Sequence, residues 1–136
     1  MSAPEEDLVR YRLERAWETL EEAGIMAESN RWNTCVNRLY FACFYAVSAL
    51  LLRHGLSSSK HGGLRSLFNQ RFVATGRFPK ELARVYNDLF ERRQQGDYID
   101  LFRFDESRVR PWIPRATEFV RRIATMLDES ATGDAI

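Results

Sequence analysis

This chain is poor in lysine, histidine and cysteine, and poor in the residues that interrupt helices. Its 136 residues include two lysines against eighteen arginines, two histidines, two cysteines, four prolines and seven glycines. Scarce glycine and proline, with little strand-like alternation, argue against a fold of short strands and tight turns. Cys35 and Cys43 have no histidine or further cysteine at ligand spacing, and neither His54 nor His61 has acids at metal spacing. That pattern excludes a zinc-type site, and no metal or other cofactor is expected. The two cysteines are eight residues apart on one predicted helix, about 12 Å at the α-helical rise, too far to bridge within the chain. Two reduced core thiols point to a cytoplasmic protein. The longest nearly apolar run, Leu39 to Leu52, is broken by Ser48. It falls short of the roughly 20 residues that span a bilayer, so it reads as a buried core helix and no membrane is expected. Residues 2–7 are polar and acidic, which is no secretory signal pattern. There is no internal repeat and no low-complexity segment.

What is present suits one globular domain. Apolar residues make up 45% and aromatics 12%, enough for a core of its own. Residues 1–130 are assigned to that domain and 131–136 to a polar tail. The net charge of +1 hides an asymmetry. Residues 1–30 carry three arginines and eight acids, residues 31–80 carry eight cations and no acid, and the remainder returns to a slight negative excess. The middle third is therefore either an anion-binding surface or a face neutralised by the acidic first helix.

The periodicity predicts five helices. The first covers about Glu5 to Glu28, with Leu13, Ala16, Trp17, Leu20, Ala23 and Ala27 on one face and Glu14, Glu18, Glu21 and Glu22 on the other. Ser29-Asn30 breaks it. The second, about Trp32 to His54, is apolar almost all round and should be the most buried. Gly55 ends it. The third covers about Lys60 to Thr75. The fourth starts at Pro79 and ends near Gly96. Tyr98 to Phe104 reads as a connection with exposed aromatics. The last helix carries Ile113, Ala116, Phe119, Val120, Ile123 and Leu127 on one face. Pro111 and Pro114 predict either a kink or a start near Arg110. The architecture expected is all-α, an up-and-down bundle of four long helices and a shorter one.

Three local patterns in this order resemble one family. They are Asn33-Thr-Cys-Val-Asn-Arg38-Leu-Tyr40-Phe-Ala-Cys-Phe-Tyr45-Ala, then Lys60-His61-Gly62, then Leu89-Phe90-Glu-Arg-Arg93 with Asp97-Tyr98. Together, over about residues 8 to 128, they resemble the HEPN superfamily and its small stand-alone branch. The resemblance implies a helical bundle that forms a homodimer. It also implies a minimal nucleotidyltransferase as partner in a toxin–antitoxin-like pair. Active HEPN toxins are metal-independent RNases with an Arg, four to six residues, then His, in the dimer cleft. Arg93 matches that arginine, and Tyr98 stands where the histidine would be. In one branch a tyrosine two residues after the histidine is modified by the partner; here that position is Asp100, so the role does not carry over.

The chemistry explains why Tyr98 matters. RNA cleavage without metal needs a base for the 2′-hydroxyl proton, and an imidazole near 6.5 suits this better than a phenol near 10. Cleavage through Arg93 and Tyr98 as the catalytic pair is therefore expected to be weak or absent. Arg93 has three readings: an ion pair with Asp97 at i,i+4, a phosphate-binding cation, or a catalytic cation. Arg92 stands beside it as a second phosphate-binding candidate. His61, in the acid-free segment, is the only substitute histidine and, with Arg38, a further phosphate- or nucleotide-binding candidate; the plainer expectation is that it bonds nearby backbone or faces solvent. His54 reads as a helix C-terminal residue favoured by the dipole. Arg38, on the most buried helix, must be paired. Its expected partner is Asp97 or Asp88; alternatively it lines one cleft with Arg93. Tyr98, Phe102, Phe104 and Trp112 interleave with Arg103, Arg108 and Arg110, which suits base stacking, a dimer seam or helix docking.

The first function expected is a protein binding RNA or a nucleotide as the helical partner of a nucleotidyltransferase. The alternatives are an RNase toxin with an altered Arg-x4-Tyr site and a structural dimerisation module.

Overall fold

A computed structural model describes the backbone of residues 2–98 and 103–133, and the side chains of those residues except 94–98 and 130–133. Among the described residues every regular element is helical: α1 Ala3–Glu28, α2 Trp32–Arg53, α3 His61–Phe68, α4 Lys80–Tyr98, α5 Glu106–Val109 and α6 Trp112–Gly133. Four are long, as expected, and they pack as an up-and-down bundle.

Local chemistry sets most boundaries. Ser2 caps α1 by accepting from the Glu5 backbone N–H at 3.3 Å, and Glu5 and Glu6 sit at the positive end of the helix dipole. The α1–α2 turn uses Asn30 at φ 57°, a left-handed conformation that asparagine tolerates, and the Arg31 N–H closes onto the Met26 carbonyl at 2.8 Å. Gly55 at φ 71° ends α2 in the same way, with the Leu56 N–H on the Leu51 carbonyl at 2.8 Å. Pro79 lies just before α4 rather than inside its first turn, and its carbonyl accepts the first helical bond, from Ala83 at 3.0 Å.

Other boundaries also differ from the sequence reading, and α4 itself runs to Tyr98 rather than ending near Gly96. The third helix stops at Phe68 and continues as a π-helical turn, Asn69–Val73, pinned to α4 by reciprocal amide bonds between Asn69 and Asn87 at 3.0 and 3.3 Å. The last helix starts at Trp112. Pro114 then lies in its first turn, where backbone N–H groups have no intrahelical acceptor, so its missing donor costs nothing. A separate single turn, α5, precedes it, capped by Asp105, which accepts from the Arg108 N–H at 2.9 Å. At the other end α6 runs to Gly133, through residues assigned to the polar tail.

The most buried helix is α2, as its composition requires. It packs chiefly on α1 and also on α4 and α6, with Leu39, Tyr40, Ala42, Cys43, Ala46, Leu50 and Leu51 fully enclosed. By length and hydropathy alone it could cross a membrane, but two-thirds of that window is buried inside the bundle. Cys35 and Cys43 are buried free thiols; burial pushes Cys35 up to about 11 and Cys43 higher still. A ring cluster joins α3, α4 and α6, with Phe68 at 5.1 Å from Phe78 and 5.8 Å from Tyr86, and Phe119 at 5.1 Å from Phe78. Each such phenyl ring, fully buried, contributes roughly 1.5–3 kcal/mol. Arg53 locks one end of the bundle. It donates to Glu6 of α1 and to the Leu127 carbonyl of α6, both at 3.0 Å.

Candidate functional site at the α2–α3–α4 junction

Helical spacing builds the site. On α2, Arg38, Phe41 and Tyr45 stand in one i, i+3, i+7 row, and Phe44 adjoins it. All four are only partly buried, so this side of the core helix opens to solvent. On α4, Tyr86, Phe90 and Arg93 form a second row, and α3 begins between the two with His61. The approach does not depend on Gly62, since a Cβ there would meet Phe90 at 3.9 Å, ordinary contact.

Tyr40 ties the three helices together. Its phenol lies 3.2 Å from His61 Nδ1, and its ring carries the Arg93 guanidinium at 4.7 Å from the centroid. Arg93 also lies 5.6 Å from the Phe41 centroid, and Arg38 lies 5.2 Å from the same ring. His61 packs against Phe44 with centroids 4.3 Å apart. Arg65 covers Phe90 at 4.1 Å, and Arg15 of α1 covers Tyr45 at 5.3 Å. Guanidinium on ring is a cation–π contact, strongest where water is excluded.

The electrostatics follow from this packing. Burial, together with the Arg93 charge, pushes the His61 imidazole below its ordinary value, so it is neutral near pH 7. Burial raises Tyr40 to about 12 despite Arg93, so the phenol keeps its proton. Two acids of α1 temper the site: Glu22 pairs with Arg38 at 3.2 Å and Arg15 at 3.7 Å, and Glu18 pairs with Arg15 at 2.9 Å.

Several candidates named from sequence converge here. Arg93, His61 and Arg38 are brought together. His61 bonds the Tyr40 phenol and is half-buried, with part of its surface in solvent. Arg38 pairs with Glu22 of α1 rather than with Asp88, because α1 lies along α2 and reaches it first; it also lines one cleft with Arg93, and its other expected partner, Asp97, falls outside the described side chains. Arg92 is carried about 100° around α4 from Arg93, off the row that holds Phe90. The side chains of Tyr98 and Asp97, and all of Asp100 and Phe102, lie outside the described residues. Phe104 is buried rather than exposed, and its N–H donates to Asn33 Oδ1 at 2.8 Å. His54 packs its ring on Phe72 at the end of α2. Among the described residues no cluster of three acids, histidines or cysteines could hold a metal.

The sequence reading did not place Phe41, Phe44, Arg65 and Phe90 in the site. The one available signal was spacing: arginine three residues before phenylalanine on α2, and phenylalanine three before arginine on α4.

Comparison with known proteins adds relatives to this geometry. The HEPN domain family matches residues 9–126. The chain is 44% identical over 124 residues to a UPF0332 protein of Thermotoga maritima, covering 91% of this chain and 94% of the relative. It is 32% identical over 121 residues to a Methanocaldococcus jannaschii protein named "putative toxin", covering 89% and 90%. A second protein of that organism with the same designation is 33% identical over 86 residues, covering 63% of this chain and 58% of the relative.

Proposed function

The chain belongs to the HEPN domain family, and from that premise we propose that it binds RNA or a nucleotide at the α2–α3–α4 junction, as a homodimer and as the helical partner of a minimal nucleotidyltransferase in a toxin–antitoxin-like pair. One observation carries the binding reading. Arg38 and Arg93, from different helices, converge on the partly open Phe41 ring, with Phe44 and His61 beside it. Guanidinium groups hold phosphate oxygens, and open rings stack bases at about 1–3 kcal/mol each. The designation of the two Methanocaldococcus relatives supports the toxin side of the pair.

Fluorescence anisotropy with a labelled single-stranded oligoribonucleotide and with ATP tests this. Binding should weaken at least tenfold in Arg93→Ala and in Phe41→Ala, with the melting temperature little changed in Arg93→Ala. Equal affinity in wild type and both variants removes the reading. Co-purification with a nucleotidyltransferase encoded beside this gene tests the partnership.

A second reading, an RNase, is favoured by a separate observation: a neutral imidazole and the motif arginine meet on one phenol ring.

A further inference from the structure

The arginine of the Arg-x4-Tyr pattern lacks a histidine on its own helix, and the fold delivers one from α3. We propose that His61, and not Tyr98, is the proton-transfer residue that works with Arg93: its Nε2 takes the proton of a ribose 2′-hydroxyl while the Arg93 guanidinium holds the adjacent phosphate. This rests on the RNA reading of the same site.

The geometry resembles a base with its orienting group. In the tautomer that serves as the base, Nδ1–H donates to the Tyr40 oxygen, 3.2 Å away; that bond fixes the ring and leaves the Nε2 lone pair as the basic site. That bond survives protonation of the ring, so the imidazolium is held in the same place. Tyr40 is fully buried, and its phenol stays protonated at neutral pH. It is therefore a positioning residue and not a competing base. Phe44 supports the imidazole face at 4.3 Å, and His61 keeps part of its surface in solvent, where a strand can reach it. Arg93 reaches the other side of the arrangement by lying on the Tyr40 ring. Cation and base are thus set on one rigid ring by two different helices.

Among the described residues, the charged and titratable groups around the imidazole are Tyr40 from α2 and Arg93 from α4, with Lys60 next to it in the chain. Burial and the arginine both favour the neutral ring, the form that accepts a proton at pH 7. In the step itself the 2′-oxygen bonds to phosphorus as His61 takes its proton, and the bond from phosphorus to the 5′-oxygen breaks. The 5′-oxygen takes a proton from water, and the imidazolium returns its proton to the hydroxide so formed. The products are a 2′,3′-cyclic phosphate and a 5′-hydroxyl, with no change of oxidation state. Arg93 offsets the charge that builds on the phosphorane oxygens.

The test incubates wild type, His61→Gln, Tyr40→Phe and Tyr98→Phe with total bacterial RNA and a random-sequence single-stranded RNA pool in EDTA, and reads the new termini. Wild type should cut, leaving cyclic phosphates, and Tyr98→Phe should match it. His61→Gln should lose roughly 10²–10⁴-fold in kcat, with RNA affinity falling far less. The pH–rate profile should show a rising limb centred below the ordinary imidazole range. His61→Gln should abolish that limb, and Tyr40→Phe should slow the reaction and displace the limb. Should His61→Gln fail to fold, the Tyr40→Phe profile and the wild-type limb decide the matter. Unchanged cleavage in His61→Gln, or cleavage lost in Tyr98→Phe, overturns the assignment. RNA bound but never cut overturns it while leaving the binding reading intact; RNA neither bound nor cut removes both.

Discussion

Arg93 does two things at once, and they can be separated by measurement. It caps the Tyr40 ring, and its charge helps hold the neighbouring His61 imidazole below its ordinary value, second to burial. Arg93→Ala should therefore raise the His61 titration midpoint toward the unperturbed 6.5, whereas Arg93→Lys should leave most of the depression in place. A nuclear magnetic resonance titration of the ring protons reads this directly; an unmoved midpoint in Arg93→Ala would mean burial alone sets it. The sign for stability follows. A histidine depressed on folding makes the folded state more stable above the unfolded value, and that contribution is lost as pH falls from about 6.5 through the folded value. Tyr86 makes a second residue-scale case. Its hydroxyl is buried with no hydrogen-bond partner among the described residues, in contact with Tyr40, Phe68 and Phe119 rings. Tyr86→Phe removes an unsatisfied group and keeps the ring, so chemical denaturation should show it neutral or more stable by about 1 kcal/mol. A loss of 2 kcal/mol or so would reveal that the hydroxyl is satisfied.

The start of α3 is the element on which the site depends most. Ser58 accepts from the Lys60 N–H at 3.2 Å just before the helix, and Gly63 passes so close that a Cβ there would meet Ser58 Oγ at 2.2 Å and its Cβ at 3.0 Å. Gly63→Ala should therefore displace the loop that aims His61, costing roughly 1–3 kcal/mol and weakening RNA binding with it. Ser58→Gly should relieve the clash in that background and behave worse than wild type alone, a coupling that a double-mutant cycle measures. The long helices could be read from the sequence because their stripes and stop signals agree, as at Asn30 and Gly55. The single turn α5 could not, since four residues carry no periodicity and only the Asp105 cap marks it. Two prolines three residues apart fit several starts for α6, and only packing chooses Trp112. The same limit applied to the site. Arg93, His61 and Arg38 could each be picked out by residue type and motif. Their meeting depends on how α3 enters between α2 and α4, which no local pattern encodes. A helix that is apolar all round reads as wholly buried, so the open side bearing Phe41 and Phe44 was hidden by its own composition.

At the scale of the molecule, the question is how much of the basic middle third remains available to an anion. The acidic first helix takes part of it: Glu22 pairs with Arg38 and Glu6 with Arg53. Arg65, from the same segment, instead lies on the Phe90 ring at the candidate site. The dimer keeps its family argument but loses part of its sequence argument, because Phe104 is buried and Trp112 packs against it at 6.1 Å. Light scattering should still give twice the 15.9 kDa chain mass at micromolar concentration; a monomer would end the dimer proposal. For RNA, two or three arginines reaching phosphates should give a slope of log affinity against log salt of roughly −1.5 to −2 on a single strand. Glu22 makes this prediction sharper. Glu22→Gln keeps the side chain's size but removes the charge shared by Arg15 and Arg38, so affinity should rise and the salt slope should steepen by up to about 1. Glu81→Gln, on α4 away from the junction, should change neither, which separates local release of an arginine from a general gain in positive charge. If both substitutions strengthen binding equally, the RNA is responding to net charge and the junction is not its site.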